Sequence, residues 1–185
     1  MKRIENYETV QASSGEFARP TAGGYICKIM DVEDVPMDAN TGKGDYLRIE
    51  YDIADGEFKG YYKEQFDKWG GNWNASFIRS YKEKALGMLK HFTNCIEQSN
   101  AGYAWDWNEK GLIGKVIGLI LGEEEYQNNA GEIKPKLVVK NIATVEDIKN
   151  GNFKVPAPKK LAVGNSASVN NFIPATDTTD DDLPF

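Results

Sequence analysis

The sequence predicts a mostly β fold, a five-stranded antiparallel barrel with one helix between strands 3 and 4. Three observations carry this expectation. Several short segments alternate apolar and polar residues with the period of a strand, and one longer segment among them repeats at three- and four-residue steps. The βαβ alternation that a parallel doubly wound sheet needs is missing. The barrel is expected over residues 21–154, after an N-terminal arm (1–20) and before a disordered, acidic C-terminal tail (155–185).

The arm has no sustained periodicity and contains Ser13, Ser14, Gly15 and Pro20. The first strand, residues 25–35, is apolar on both parities, as suits a long, bent strand that changes which face is covered. The second, residues 45–54, is cleaner, with Leu47, Ile49, Tyr51 and Ile53 alternating with Tyr46, Arg48, Glu50 and Asp52. The polar turn from Asp38 to Gly44 joins the two as a hairpin. Gly56 and Gly60 flank the turn into a third strand, expected at residues 60–67. From residue 74 to 98, Ile78, Tyr81, Ala85, Leu89, Phe92 and Ile96 mark an amphipathic helix, with Asn74 as its N-cap and its stop at residues 100–102. Strands return at 114–123, carrying Ile117, Leu119 and Leu121, and at 136–145, carrying Leu137 and Val139. Residues 128–131 form the turn between them. This is the element order of the oligonucleotide/oligosaccharide-binding (OB) fold.

The net charge of −6 argues against coating duplex DNA or anionic membrane by bulk charge. The acidity is concentrated at one end. Without residues 161–185, which hold four Asp and no Lys or Arg, 24 acidic residues face 22 basic ones. The basic start, MKRIENYETV, lacks the apolar stretch of a secretory signal, and no segment is long and apolar enough to span a bilayer. A cytoplasmic protein without membrane contact is expected, its Cys27 and Cys95 reduced. The single His91 reads as a structural or merely exposed helix residue.

Residues 58–90 hold seven basic residues against three acidic ones, and eight of the chain's 21 aromatics. Cations interleaved with rings suit an unpaired nucleic-acid strand, whose phosphates need positive charge and whose bases offer flat faces. About half of these rings are expected to fill the core instead. In an OB-type barrel the binding groove lies on strands 2 and 3, between the loops joining strands 1–2 and 4–5. The candidate strand-binding residues are therefore Lys43, Tyr46, Arg48, Lys59, Tyr62, Lys63, Phe66, Trp69, Trp73, Arg79, Lys134, Lys136 and Lys140. The Trp69–Trp73 loop carries two glycines and two indoles, suited to clamping bases or to pinning the loop on the barrel end. Catalytic signals are poor. Gly42-Lys43-Gly44 lacks phosphate-loop spacing, and Glu57 and Lys59 with Asp52 or Asp55 fit a metal-nuclease pattern only by force. No catalytic residue, cofactor or metal is expected, and Glu123-Glu124-Glu125 reads as a solvated strand end.

The last six residues, Asp180, Asp181, Asp182, Leu183, Pro184 and Phe185, carry the sharpest signal. They resemble the acidic tip of bacterial single-stranded DNA-binding proteins. That resemblance implies docking on replication, recombination and repair proteins, with the Phe ring in an apolar pocket and the carboxylates on basic residues. Residues 23–156, through GEFKG at 56–60, the segment 124–139 and VEDIKNGNFKVP at 145–156, resemble phage- and prophage-encoded single-stranded DNA-binding proteins. This implies an OB fold, a role in phage DNA replication or recombination inside a bacterial host, and no catalysis. The preference for DNA over RNA rests on this resemblance alone.

The expected function is sequence-independent binding of single-stranded DNA, protecting it and recruiting partner proteins through the tip, with homo-oligomers as a possible way to gain wrapping surface. The alternatives are a non-catalytic adaptor or RNA-binding protein whose tail docks replication proteins, and a divalent-metal nuclease built on Glu57 and Lys59.

Overall fold

The computed structural model describes residues 18–161. Most of the expected arm and the candidate tip Asp180–Phe185 lie outside the described residues. Five strands form one antiparallel sheet in the order β3-β2-β1-β4-β5, where β1 is Gly23–Val35, β2 Tyr46–Ile53, β3 Ser76–Ser80, β4 Val116–Gln127 and β5 Ile133–Ala143. Among the described residues three α-helices accompany it: α1 (Tyr61–Trp69), α2 (Leu86–Ser99) and α3 (Val145–Asn150). No helix of the described residues is long and apolar enough to cross a membrane.

The mixed parity of β1 has a local cause. Its register against β2 slips between Ile29 and Asp31, so Met30 is an extra, bulged residue. Cys27 and Ile29 face the core before the bulge and Val32 after it, all fully buried. The first half of β1 pairs with β4 and the second with β2, so one bent strand serves both halves of the sheet. On β2 the alternation works as expected: Leu47, Ile49, Tyr51 and Ile53 are buried.

Two expectations fail in the next stretch. Residues 61–69 form helix α1, where a third strand was expected. Gly60 offers that helix no side-chain cap; the carboxylate of Asp52 supplies one from β2. Asp52 Oδ1 accepts the backbone N–H groups of Ile53 (2.8 Å) and Tyr62 (2.9 Å), and Oδ2 accepts that of Lys63 (3.2 Å). A carboxylate on these first-turn donors satisfies groups that the helix itself cannot, with a favourable dipole. The pair Lys63–Asp67 (2.6 Å) adds an i,i+4 contact. The actual third strand, β3, occupies what the periodicity assigned to the start of the long helix. Phe77 enters the core while Ser76 and Ile78 face outward, so the chain is in a strand until Ser80. A short 3-10 turn (Glu83–Ala85) then leads into α2, and Asn74 caps nothing. Within α2, Leu89, Phe92, Cys95 and Ile96 are buried. Asn100 ends it, its Nδ2 donating to the carbonyls of Ile96 and Val116 (2.8 Å each) and its Oδ1 accepting from Val116 N (3.0 Å).

The sheet is not closed into the expected barrel. β3 and β5 come near each other, yet no ladder joins them among the described residues. β3 has only five residues, and β5 is kinked where Lys140 is the extra residue between the pairs Leu121–Val139 and Ile120–Asn141. A cavity of about 210 Å³ remains between the two edges, over the first turn of α2.

Beyond β5, Thr144 opens α3 with a capping box. Its hydroxyl accepts from Asp147 N (3.0 Å), and Asp147 Oδ2 accepts from Thr144 N (3.3 Å). The expected last strand therefore ends at Ala143. α3 packs on β4 at Gly118, where a Cβ would fall 2.5 Å from the Ile148 side chain and 2.7 Å from Thr144 O. Thr144→Ala should cost about 1 kcal/mol, read as a lower midpoint of urea unfolding with an unchanged slope. The chain then returns to the sheet past the boundary expected at residue 154. Lys159 bridges β4 in parallel, its N–H donating to Glu123 O and its carbonyl accepting from Glu125 N (2.9 Å each).

Candidate nucleic-acid interface

The rings of residues 58–81 divide into a buried chain and an exposed pair. Tyr51 meets Tyr62 edge-on at 5.6 Å and Phe77 at 6.0 Å, and Phe77 meets the fully buried Phe92 at 5.9 Å. Phe58, Tyr61, Tyr62, Trp73 and Tyr81 all pack against this core. Burial pushes the Tyr62 hydroxyl up to about 12, the mark of a ring turned inward. Trp73 is tied down as well, its Nε1 donating to Tyr51 O at 2.9 Å. Only Phe66 and Trp69, 41% and 71% exposed, present wide apolar surface to solvent from this segment's aromatic set. The core therefore takes more of these rings than the half expected.

Helix α1 and the loop after it build this exposed pair. Phe66 lies 5.7 Å from Trp73, so the anchored indole supports the exposed ring. Trp69 ends the helix, and Gly70 and Gly71 follow at φ +64° and +90°, a left-handed pair that turns the chain away at once. The Lys68 ammonium stands 5.2 Å above the Trp69 ring. Lys59 and Lys63 are exposed on the same stretch, although Lys63 is paired with Asp67. Tyr62, Lys63, Phe66, Trp69 and Trp73 thus lie on a helix and its loop rather than on a strand, with Tyr62 and Trp73 turned to the core.

The outer face of β1 and β2 is less cationic than the sequence suggested. Arg48 stands opposite Glu33 in the register, and its guanidinium pairs with Glu50 (3.0 Å) and Glu33 (3.6 Å). Burial raises the Glu50 carboxyl; Arg48 opposes that rise, while Asp31 and Glu33 add to it. Arg48 is thus held by carboxylates of its own sheet. Tyr46 lies half-buried between Val35 and Ser80, and Lys43 is exposed in the β1–β2 turn.

The remaining candidates lie along β5 and the open seam. Lys134 pairs with Glu132 (2.9 Å), and Lys136 stands 5.9 Å from the Tyr126 ring. Lys140 pairs with Glu124 at 2.5 Å. Burial would raise the Glu124 carboxyl, but the Lys140 hydrogen bond and the charges of Lys140, Lys136 and Lys159 hold it below its ordinary range. Glu124 is therefore the centre of a lysine cluster, not a solvated strand end. Arg79 extends from β3 over the Phe77 ring at 4.8 Å.

Neither a protein-family model nor a curated protein matches this sequence. Cys27 and Cys95 are free and buried, and burial raises both thiols, with Asp52 and Asp147 adding to the respective shifts. His91 Nε2 lies 3.0 Å from Ile142 O, tying α2 to β5. Asp52, one of the two aspartates that could join Glu57 and Lys59 in the forced nuclease pattern, is occupied with the α1 amides, and no cluster of three metal-ligating side chains occurs among the described residues. Sequence reasoning missed Lys159, which lies in the part expected to be disordered. Its signal, a Lys pair before an apolar residue, is too common to be read without the sheet.

Proposed function

We propose that this chain binds single-stranded nucleic acid without sequence preference, with single-stranded DNA as its ligand and the segment Asp180–Phe185 as its docking point for partner proteins. The observation that carries the reading is the exposed Phe66–Trp69 platform, with cations at Lys59, Lys63 and Lys68 and a support at Trp73. Large rings left in water cost free energy, and flat ones flanked by cations suit unpaired bases. The strand order, with a helix between β3 and β4, agrees with an OB sheet, itself a partly open barrel. The choice of DNA and of replication and recombination partners comes from the resemblances of the globular part and the tip.

Titration with oligo(dT), followed by tryptophan fluorescence, tests the proposal. Expected are quenching that duplex DNA does not match and an affinity that falls with salt. Six phosphate contacts would give a slope of roughly −4 in the log of the association constant against log salt, at ~0.7 per contact on single strands. A slope shallower than about −1, or equal binding of duplex, would count against it. Deleting residues 177–185 should tighten binding at low salt by removing four Asp that compete with the strand.

A further inference from the structure

Arg79 is the one guanidinium that the described structure leaves both shielded and unanswered. It projects inward from β3 beside Phe77, and its Nη1 donates to Ile78 O at 2.8 Å. Its Nε is out of contact with solvent and has no hydrogen-bond partner. No carboxylate of the described residues pairs with it, in contrast to Arg48. Burial pulls it down to about 10, so it keeps its charge at neutral pH. A cation taken out of water without a counter-charge is costly, and an anion arriving beside it recovers that cost.

The space for the anion is present. The seam cavity, about 210 Å³, is lined by Arg79, Gly87, Met88, His91, Val139, Lys140 and Asn141. No Asp or Glu lines it. Asn141 Oδ1 is engaged by Ile142 N at 2.9 Å, which leaves its amide N–H₂ as the group to offer a ligand. His91 also uses its Nε2 on Ile142 O. With Lys140 paired to Glu124, the donors left to the lining are the rest of the Arg79 guanidinium and the Asn141 amide, two groups that a tetrahedral oxyanion can bridge. The volume is several times the ~30 Å³ share of a water, enough for a phosphate group. A larger hollow of about 530 Å³ shares His91 and Asn141 and is lined also by Lys154 and by Asp147, whose carboxylate is engaged in the α3 capping box; it gives a strand room to continue.

We propose that the open seam between β3 and β5 holds one phosphate group of the bound strand, gripped by Arg79 and Asn141. This rests on the single-strand reading above and adds a contact away from the Trp69 platform.

The Nε–H signal of Arg79 in ¹⁵N-labelled full-length protein tests it directly. The signal should move on addition of sodium phosphate, but not of sodium chloride at matched ionic strength. It should move with oligo(dT), and not with an oligo(dT) whose linkages are neutral methylphosphonates. Gly87 supplies a second test, since a Cβ there meets nothing within 4 Å. Gly87→Asp places a carboxylate at the cavity and should erase the phosphate response and reduce the oligo(dT) salt slope by about 0.7, one contact. Gly87→Asn, of the same size without the charge, should lose much less. If oligo(dT) binds with the Arg79 signal unmoved and the Gly87→Asp slope unchanged, the seam site is wrong and the single-strand reading stands. If phosphate moves the signal but no oligonucleotide binds, both the single-strand reading and the assignment of the seam to a strand fail.

Discussion

Asp52→Ala is expected to destabilise the protein by about 2–4 kcal/mol, the largest effect of any single polar substitution proposed. The carboxylate is 5% exposed and accepts three backbone N–H groups, two of them from the first turn of α1. Removing it strands buried donors that have no water to turn to, and a hydrogen bond to a charged group is worth more than a neutral one. Asp52→Asn should recover part of the loss, because its one carbonyl oxygen still serves part of the set. The check is urea unfolding of both variants, with oligo(dT) affinity at low denaturant as a second readout. As α1 carries Phe66 and Trp69, the alanine variant should also lose affinity where it is still mostly folded. A stability within 0.5 kcal/mol of the parent would mean that α1 holds its place without Asp52.

Trp69→Ala should separate function from stability. With 71% of its surface already exposed, the ring adds little to the core, so unfolding should shift by less than about 0.5 kcal/mol. A base stacked on it is worth ~1–3 kcal/mol, so the dissociation constant for oligo(dT) should rise roughly five- to 150-fold. Trp73→Phe should do the reverse. It loses the hydrogen bond to Tyr51 O, costing about 1–2 kcal/mol of stability, and keeps an aromatic support beneath Phe66. Calorimetry on the two variants decides between a platform at Trp69 and a clamp in which both indoles take bases. A larger affinity loss in Trp73→Phe than in Trp69→Ala would favour the clamp.

The sequence was most legible where periodicity and burial coincide. Leu47, Ile49, Tyr51 and Ile53 announce β2, and Leu89, Phe92 and Ile96 announce α2, because each set lies on one face at the period of its element. α1 was misread for the opposite reason. Its aromatic density suits a strand, and the group that makes it a helix, Asp52, lies ten residues before Tyr62 on another element. β3 is short and half outward-facing, so Ile78 and Tyr81 lend themselves to a helical pattern that the pairing with β2 overrides. The capping box of α3 was readable, as Thr144 and Asp147 stand three apart. At the candidate site, the clustering of rings and cations along residues 58–90 was legible and their exposure was not. Trp69 and Trp73 have the same chemistry, and only the Tyr51 carbonyl tells them apart. The pairing of Arg48 with Glu33 is likewise a matter of register, which composition does not contain.

β1 is shared between two partners at very different distances along the chain, with Cys27 and Lys28 paired to both. Its later half joins β2 through a hairpin, from Val35–Tyr46 to Cys27–Ile53, so that pairing closes a short loop. Its earlier half joins β4 from Lys28–Val116 to Gly23–Leu121, which requires almost ninety intervening residues to be brought round first. Loop closure makes the second step the slower one, and such non-local pairing places folding in the milliseconds-to-seconds range of β-rich domains. Until β4 arrives, residues 23–25 have no ladder partner in the sheet, since the β2 side reaches only to Ile26, whose carbonyl accepts from Ala54 N. The nascent chain therefore carries an open edge until β4 has been made, an edge whose tip, Gly23 and Gly24, is a weak strand former.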